Sequence, residues 1–267
     1  DDCAIFFFSD HGDFGGDYGI PEKAQNCFED CLVNVPFLIK PPKGEPLDPG
    51  VSESLVELVD FYATAMDYAG VTPDHTQFGK SLRPVIANRG AQVRRYVFCE
   101  GGRLPGETHC DESHVNGPNG SPPSFVYWPR QTAMREDDTH AKGTMIRDLR
   151  YKYISRMDPA QDEFYDLQWD PQEKINAIGD PRYAGDILRM QREMLHWYQA
   201  TCDVVPMDYD ARFSKEMLWA MMRHNVRDAG EEAFVRQQID DGVPMARIYG
   251  ALEARRKKTA AQPPERV

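Results

Sequence analysis

The 267-residue chain has no surplus of basic residues: 31 lysines and arginines stand against 43 aspartates and glutamates, a net charge of −12. Nucleic-acid phosphates are held by basic surfaces, so a nucleic-acid partner is not expected. An anionic small substrate remains compatible, because one local cation and a metal outweigh a distant negative surface. No apolar run approaches the roughly 20 residues of a membrane-spanning helix. None of the six cysteines, at positions 3, 27, 31, 99, 110 and 202, forms a CxxC pair. Cys27 and Cys31 are spaced for one helical face, yet two thiols alone make a poor zinc site. The cysteines are read mostly as buried free thiols, which behave as small hydrophobes. Cys99 has Arg103 close by but no base to activate it. Internal repeats are absent, and only the end, "EARRKKTAAQPPERV", reads as frayed and solvated. The chain opens at Asp1 without a methionine or leader, almost inside a strand. That suggests the C-terminal part of a longer polypeptide and leaves localisation unreadable.

What is present suffices for a packed core: 41% of residues are hydrophobic and 11% aromatic, so general disorder is not expected. Ala4 to Phe8 is a short continuous apolar run, expected as a strand buried on both faces of a helix-covered parallel sheet. Val35 to Ile39 is a second strand, with Pro36 at its start. "GVSESLVELVDFYATAMDYAGVTP" has Leu55, Leu58, Val59, Tyr62, Met66 and Ala69 at helical spacing. Ser54 and Glu57 fit a capping box there, and Gly70 with Pro73 ends the helix. Tyr96 to Phe98 suggests another strand.

Residues 101–143 are rich in Gly, Pro, Asp, Glu and His around one apolar knot, Phe125 to Trp128. They are expected to form a long ordered loop over a site. One of His109, His114 and His140, with Asp111 and Glu112 nearby, is a candidate substrate contact there; a solvated polar loop is the plainer reading. Gly143 to Arg147, Tyr151 to Ile154 and Glu163 to Leu167 then read as antiparallel strands joined by short turns. A helix follows over about 182–199, with Ile187, Met190, Met194, Leu195 and Tyr198 on one face and His196 at its surface or core. Beyond Pro206 the pattern is helical again, through Met217, Leu218, Met221, Met222, Phe234, Val235 and Ile239. The stripe from Phe213 to Met222 reads as core or interface rather than a cofactor box.

The chemistry concentrates in "FFFSDHGDFGGDYGIPEK". In α/β sheets, ligands collect beyond the carboxyl ends of the strands. Ser9, Asp10, His11 and Gly12 lie at such an end. Asp10 offers a hard anionic oxygen, His11 a neutral ring nitrogen, and Gly12 lets the backbone turn so that both reach one cation. A divalent metal needs further ligands. Lys23, 12 positions after His11, could hold an anion on that metal as a mobile point charge. The competing reading is that Asp10 caps a turn and His11 fills a polar corner.

"SDHGDFGGDYGIPEK" resembles the sulfatase branch of the alkaline phosphatase superfamily, with its Asp-His-Gly, glycine-rich stretch and lysine. The spacing from His11 to Lys23 is similar to that of iduronate-type sulfatases and phosphonate monoester hydrolases. "VNVPFLIKPP", "SLVELVDFYATAMDYAGV", "FGKSLRPVI", "TMIRDLRYKYI" and "DEFYDLQWDPQEKINAI" resemble later segments in family order, so the likeness runs over about residues 1–203. It implies that Asp10 and His11 are ligands of a divalent cation, with calcium expected and magnesium or manganese left open. It implies that Lys23 contacts the sulfate and that His11 and Lys23 stabilise charge during catalysis. Tyr18 stands where many relatives carry a second histidine, and Asp17 matches a common acidic position with no assignable role. The family's Cys/Ser-x-Pro-x-Arg nucleophile motif and its N-terminal aspartate pair are missing.

The resulting expectation is an α/β chain. Residues 1–100 would be the C-terminal part of an alkaline phosphatase-like catalytic domain and 101–143 a loop over the site. Residues 144–203 would be a small antiparallel sheet with a helix, and 204–267 a helical tail able to support a homo-oligomer. The parent protein would be a sulfuric ester hydrolase acting on a sulfate ester or sulfated glycan. The alternatives are a phosphonate or phosphodiester hydrolase with the same metal and lysine, and a non-catalytic binding chain retaining a fold remnant.

Overall fold

The computed structural model describes residues 2–24, 26–104, 106–107, 141–204 and 214–260, without the side chains of 258–260. The described residues form two compact units. The first takes in residues 1–72 and 77–202, the second 73–76 and 203–267.

The first unit holds two sheets. Strands β1 (Ile5–Phe8) and β2 (Phe37–Lys40) pair antiparallel, with Phe6 opposite Ile39 and Phe7 opposite Leu38. The helix Asp60–Ala69 covers one face: its Phe61 meets Phe6 edge-on at 5.0 Å and Phe8 at 5.1 Å. The other face is open, leaving Phe7 66% and Leu38 58% exposed. This corrects the expectation of a doubly buried parallel strand. The apolar run does form a strand, but among the described residues nothing covers its second face.

The second sheet is β3 (Val97–Gly101), β4 (Gly143–Arg147), β5 (Tyr151–Arg156) and β6 (Glu163–Asp166), antiparallel in that order. These are the strands expected from the sequence. Alternation sends Ile146, Tyr153 and Phe164 to one face, where they form a core with Met190 and Met194. Those methionines lie on the helix Ala184–Thr201. Leu195, expected on the same face, is instead exposed, as is His196. Met145, Ile154 and Tyr165 point to the other face and pack against Phe28.

Numbering the helices in chain order, α1 is Asp30–Val33, α2 Asp60–Ala69, α3 Arg83–Ala87 and α4 Ala184–Thr201. Helix α2 ends as expected at Gly70, whose φ of 66° is left-handed and whose N–H reaches the carbonyls of Asp67 and Met66. It begins later than expected. Ser54 and Glu57 form no capping box, because the carboxylates are engaged elsewhere. Glu57 accepts the Phe98 N–H at 2.8 Å and pairs with Arg94 at 3.2 Å. Asp60, fully buried, takes a two-pronged contact from Arg94 and accepts the N–H groups of Glu57 and Lys80, each at 2.8 Å. The contacts to Arg94, Phe98 and Lys80 therefore tie down the carboxylates of Glu57 and Asp60, and residues 51–57 lie outside the helix, with 58–59 a turn leading into it.

The second unit is helical: α5 (Lys215–Met222), α6 (Ala229–Asp240) and α7 (Met245–Ala260). Ser214 caps α5 by accepting from the Met217 N–H, and Asp228 caps α6 by accepting from that of Glu231, the usual role of these residue types. Met222, Val235, Ile239, Ile248 and Leu252 form the core, while Met217 and Met221 of the expected stripe stay exposed. Part of the end expected to fray, up to Ala260, is the last turns of α7. No helix among the described residues is long and apolar enough to cross a membrane.

Candidate functional site

Asp10, His11 and Lys23 come together. The chain leaves β1 at Phe8 and turns at once. Gly12 N donates to Leu32 O of α1 at 2.8 Å. A β-carbon at Gly12 would stand 1.9 Å from the Cys31 carbonyl oxygen, so no other residue fits there without a shift. Asp10 Oδ1 accepts the backbone N–H of His11 at 3.0 Å, and the Ser9 hydroxyl donates to His11 O at 2.6 Å. These are the turn-capping contacts of the plainer reading, and they leave Asp10 Oδ2 outward, 3.7 Å from His11 Nε2.

The imidazole orientation follows from hydrogen-bond polarity. His11 Nδ1 lies 2.7 Å from Gly12 O. A carbonyl can only accept, so Nδ1 carries the hydrogen and Nε2 keeps its lone pair in the neutral ring. Lys23 Nζ sits 3.2 Å from Nε2 and donates to it. One carboxylate oxygen, one lone-pair nitrogen and one ammonium thus converge at the surface. They line an open cleft of about 1370 Å³ whose lining also includes Phe98, Met157 and Trp197.

The glycine-rich stretch is tethered between His11 and Lys23. Phe14 is buried and meets the Tyr18 ring edge-on at 5.7 Å. Tyr18 has a left-handed φ of 55° and donates its hydroxyl to Gln172 O at 2.5 Å. Burial, with Glu173 and Glu29 nearby, pushes its phenol up to about 12.

Asp10 and His11 fit two positions of a divalent cation's shell, an anionic oxygen and an imidazole nitrogen whose other nitrogen is already bonded, as ligating histidines usually are. Among the described residues no group of three or more His, Cys, Asp or Glu is placed to hold a metal, so the shell is incomplete there. The thiols are poor nucleophile candidates: burial pushes Cys27 up to about 12 and also raises Cys31 and Cys99. All cysteines described are free, Cys3 and Cys202 exposed and the other three half-buried rather than buried. His109, His114, His140, Asp111, Glu112, Cys110 and the knot Phe125 to Trp128 lie outside the described residues.

Beneath the site is a charged knot that sequence reasoning missed. Lys152, fully buried on β5, donates to Phe28 O at 2.9 Å and Asp30 Oδ1 at 2.6 Å and pairs with Glu173. Arg147 contacts both Asp30 oxygens at 2.5 Å, and Glu173 Oε2 accepts the Asp30 N–H at 2.7 Å. The available signal was alternation: Lys152 shares a strand face with Ile154, so a lysine was headed for the core and needed partners.

No protein-family model matches the chain. A Delta 4,5-hexuronate-2-O-sulfatase of Bacteroides thetaiotaomicron is 26% identical over 201 residues, covering 73% of this chain and 34% of the relative. A structure solved in complex with its substrate D-glucosamine-2-N,6-O-disulfate aligns with a TM-score of 0.56 at 22% identity, over 78% of this chain and 36% of that one. The phosphonate monoester hydrolase of Agrobacterium radiobacter aligns with a TM-score of 0.55 at 22% identity, over 74% and 35%. The fold is alkaline phosphatase-like, of the kind shared by sulfatases and phosphonate hydrolases. In sequence the chain is sulfatase-like. It spans about a third of the length of the curated relatives it matches.

Proposed function

We propose that this chain is part of a metal-dependent sulfuric ester hydrolase, with Asp10 and His11 as two ligands of a divalent cation and Lys23 as the sulfate contact. The observation that carries the reading is the convergence of the Asp10 carboxylate, the lone pair of His11 Nε2 and the Lys23 ammonium, 3.2 Å from that nitrogen. Relatedness to a hexuronate sulfatase supports a sulfated glycan or other sulfate ester as substrate. Calcium is the proposed cation; His11 leaves magnesium or manganese open, because imidazole suits calcium less well. When bound, the cation supplies Lewis-acid polarisation of a sulfate oxygen.

The chain's own residues do the rest of what is proposed. The Gly12 carbonyl keeps the proton on Nδ1 and so leaves the Nε2 lone pair as an acceptor, which takes the Lys23 ammonium here and would take the cation in its place. Lys23 offsets negative charge on the sulfate, and together with His11 stabilises charge that develops on the transferred group. The sequence has no Cys/Ser-x-Pro-x-Arg segment, so the nucleophile and the remaining ligands are proposed to come from outside it.

Paramagnetic NMR tests the metal assignment even at weak affinity. Mn2+ at low stoichiometry should broaden the Asp10 and His11 resonances, with Ca2+ competing. Asp10→Ala should abolish the broadening. Lys23→Ala should leave it equal or stronger, since an ammonium repels the cation. The reverse pattern would show the roles to be misassigned.

A phosphonate or phosphodiester hydrolase is the second reading, favoured by the equally good alignment to the Agrobacterium enzyme. Manganese preference, and faster turnover of a phosphodiester than of an aryl sulfate by the assembled protein, would select it. The missing nucleophile motif keeps a third reading, a binding chain without catalysis. Aryl-sulfate turnover by this chain alone, lost on chelation, would contradict the proposed absence of a nucleophile.

A further inference from the structure

The Asp10–His11–Lys23 cluster lies on an exposed turn, and such a turn holds ring and ammonium in one geometry only if a supporting layer fixes it. Two connections reach it from the protein interior. The first runs from Gly12 through Leu32 O to α1, whose first residue, Asp30, is held by Lys152, Arg147 and the Glu173 carboxylate. The second runs from Tyr18 to Gln172 O, the residue next to Glu173. Both therefore end on one short segment. Glu173 itself has a left-handed φ of 53°, a conformation a non-glycine residue keeps only where its surroundings over-determine it. Lys152 and the Asp30 N–H supply that constraint.

We propose that the buried knot of Lys152, Asp30 and Glu173, together with the Tyr18–Gln172 bond, is the positioning device of the candidate site. Lys152 is its central positioning residue. It touches no substrate group. It fixes α1, α1 holds the Gly12 N–H and with it the backbone of that residue, and the Gly12 carbonyl selects the His11 tautomer that leaves Nε2 facing Lys23. The inference rests on the proposed function for its importance, but not for its test.

The test reads the His11 tautomer directly, in the metal-free chain, by long-range 1H–15N correlation at a fixed pH above the ordinary histidine range. The signal is assigned by its loss in His11→Gln. Wild type should show two well-separated ring nitrogens, with the proton on Nδ1. Lys152→Met should merge them towards an average, while slow amide exchange at Ile146, Tyr153 and Phe164 shows the sheet intact. Pairing it with Glu173→Gln removes both buried charges, so the double variant should fold and lose the tautomer equally. Lys152→Arg should restore it in part.

A folded double variant with the wild-type His11 spectrum would overturn the proposal. Should the Lys152 variants fail to fold, Tyr18→Phe, which deletes one hydroxyl, must still shift the tautomer balance; an unchanged spectrum there overturns it as well. Because no metal is present, a failed Mn2+ titration would sink the proposed function and leave this result standing.

Discussion

The β3–β6 sheet and the β1–β2 ribbon are built from the same kinds of residue and end in opposite environments. Ile146, Tyr153 and Phe164 are at most 2% exposed, whereas Phe7 of the ribbon is 66% exposed. The difference lies in what covers them. Helix α4 seals one face of the four-stranded sheet and Phe28 packs on the other, while Phe61 of α2 meets one face of the ribbon and, among the described residues, Phe7 and Leu38 on its other face stay exposed. Strand-forming residues set local conformation; burial is set by elements far away in sequence. The candidate site sits at the end of the weakly covered ribbon, and the Lys152–Asp30 contact ties it to the well-covered sheet.

The comparison is sharpened most by Phe164→Ala. The ring is fully buried between β5 and α4, so its removal should cost about 3–5 kcal/mol. Urea unfolding followed by circular dichroism would show a midpoint far below wild type. A small change would mean that the sheet core is less closely packed than its burial indicates.

The next largest effect concerns the tie between the two regions. Asp30→Asn deletes charge-assisted bonds to Lys152 and Arg147 and should cost about 1.5–3 kcal/mol. Burial raises the Asp30 carboxyl, but Lys152 and Arg147 outweigh it and hold the group below the ordinary value. Its stabilising contribution is therefore fully present above the unfolded carboxylate range, near pH 3.9, and is lost as pH falls through the lower folded value. Glu173 runs the other way: burial lifts it despite Lys152, so its protonation on mild acidification favours the fold. Wild type should hold its stability into mild acid and then lose the Asp30 share at lower pH. Asp30→Asn should lack that late loss, and an identical acid profile for the two proteins would refute the assignment.

Gly12→Ala comes third, at about 1–3 kcal/mol, a typical overpacking cost. The clash is with the backbone of α1 rather than a flexible side chain, so the turn must move. Amide shifts should change from Ser9 to Leu32 and stay fixed across β4–β6. Uniform shifts would show that the two regions are not separable in this way.

What the sequence revealed divides along the same line. Short-range signals were legible: the alternation of β4, β5 and β6, the period of α4, the glycine end of α2, and the Asp10, His11 and Lys23 cluster at a strand end. Carboxylates with distant partners were not. Ser54 and Glu57 match a local capping pattern, but Glu57 and Asp60 bind Arg94, more than 30 residues on. Strand alternation turns Lys152 inward, but nothing local names its partner Asp30, 122 residues away. The open face of β1 was misread because an apolar run reports the residues that want cover, not whether a covering element is there.

The smallest expected effect is the sharpest test of the contrast. Phe7 is of the same residue type as Phe164, but it lies on the open face opposite Leu38. Phe7→Ala removes only a cross-strand pair, worth at most about 1 kcal/mol, because most of the ring is already in water. Phe6→Ala should fall between Phe7→Ala and Phe164→Ala, since Phe6 meets Phe61 at 5.0 Å. Measured in the same urea experiment, the three should therefore rank Phe164, Phe6, Phe7. If Phe7→Ala cost as much as Phe164→Ala, the outer face would have to be covered in solution. A concentration series would then tell self-association, where the cost shrinks on dilution, from cover within one chain, where it does not.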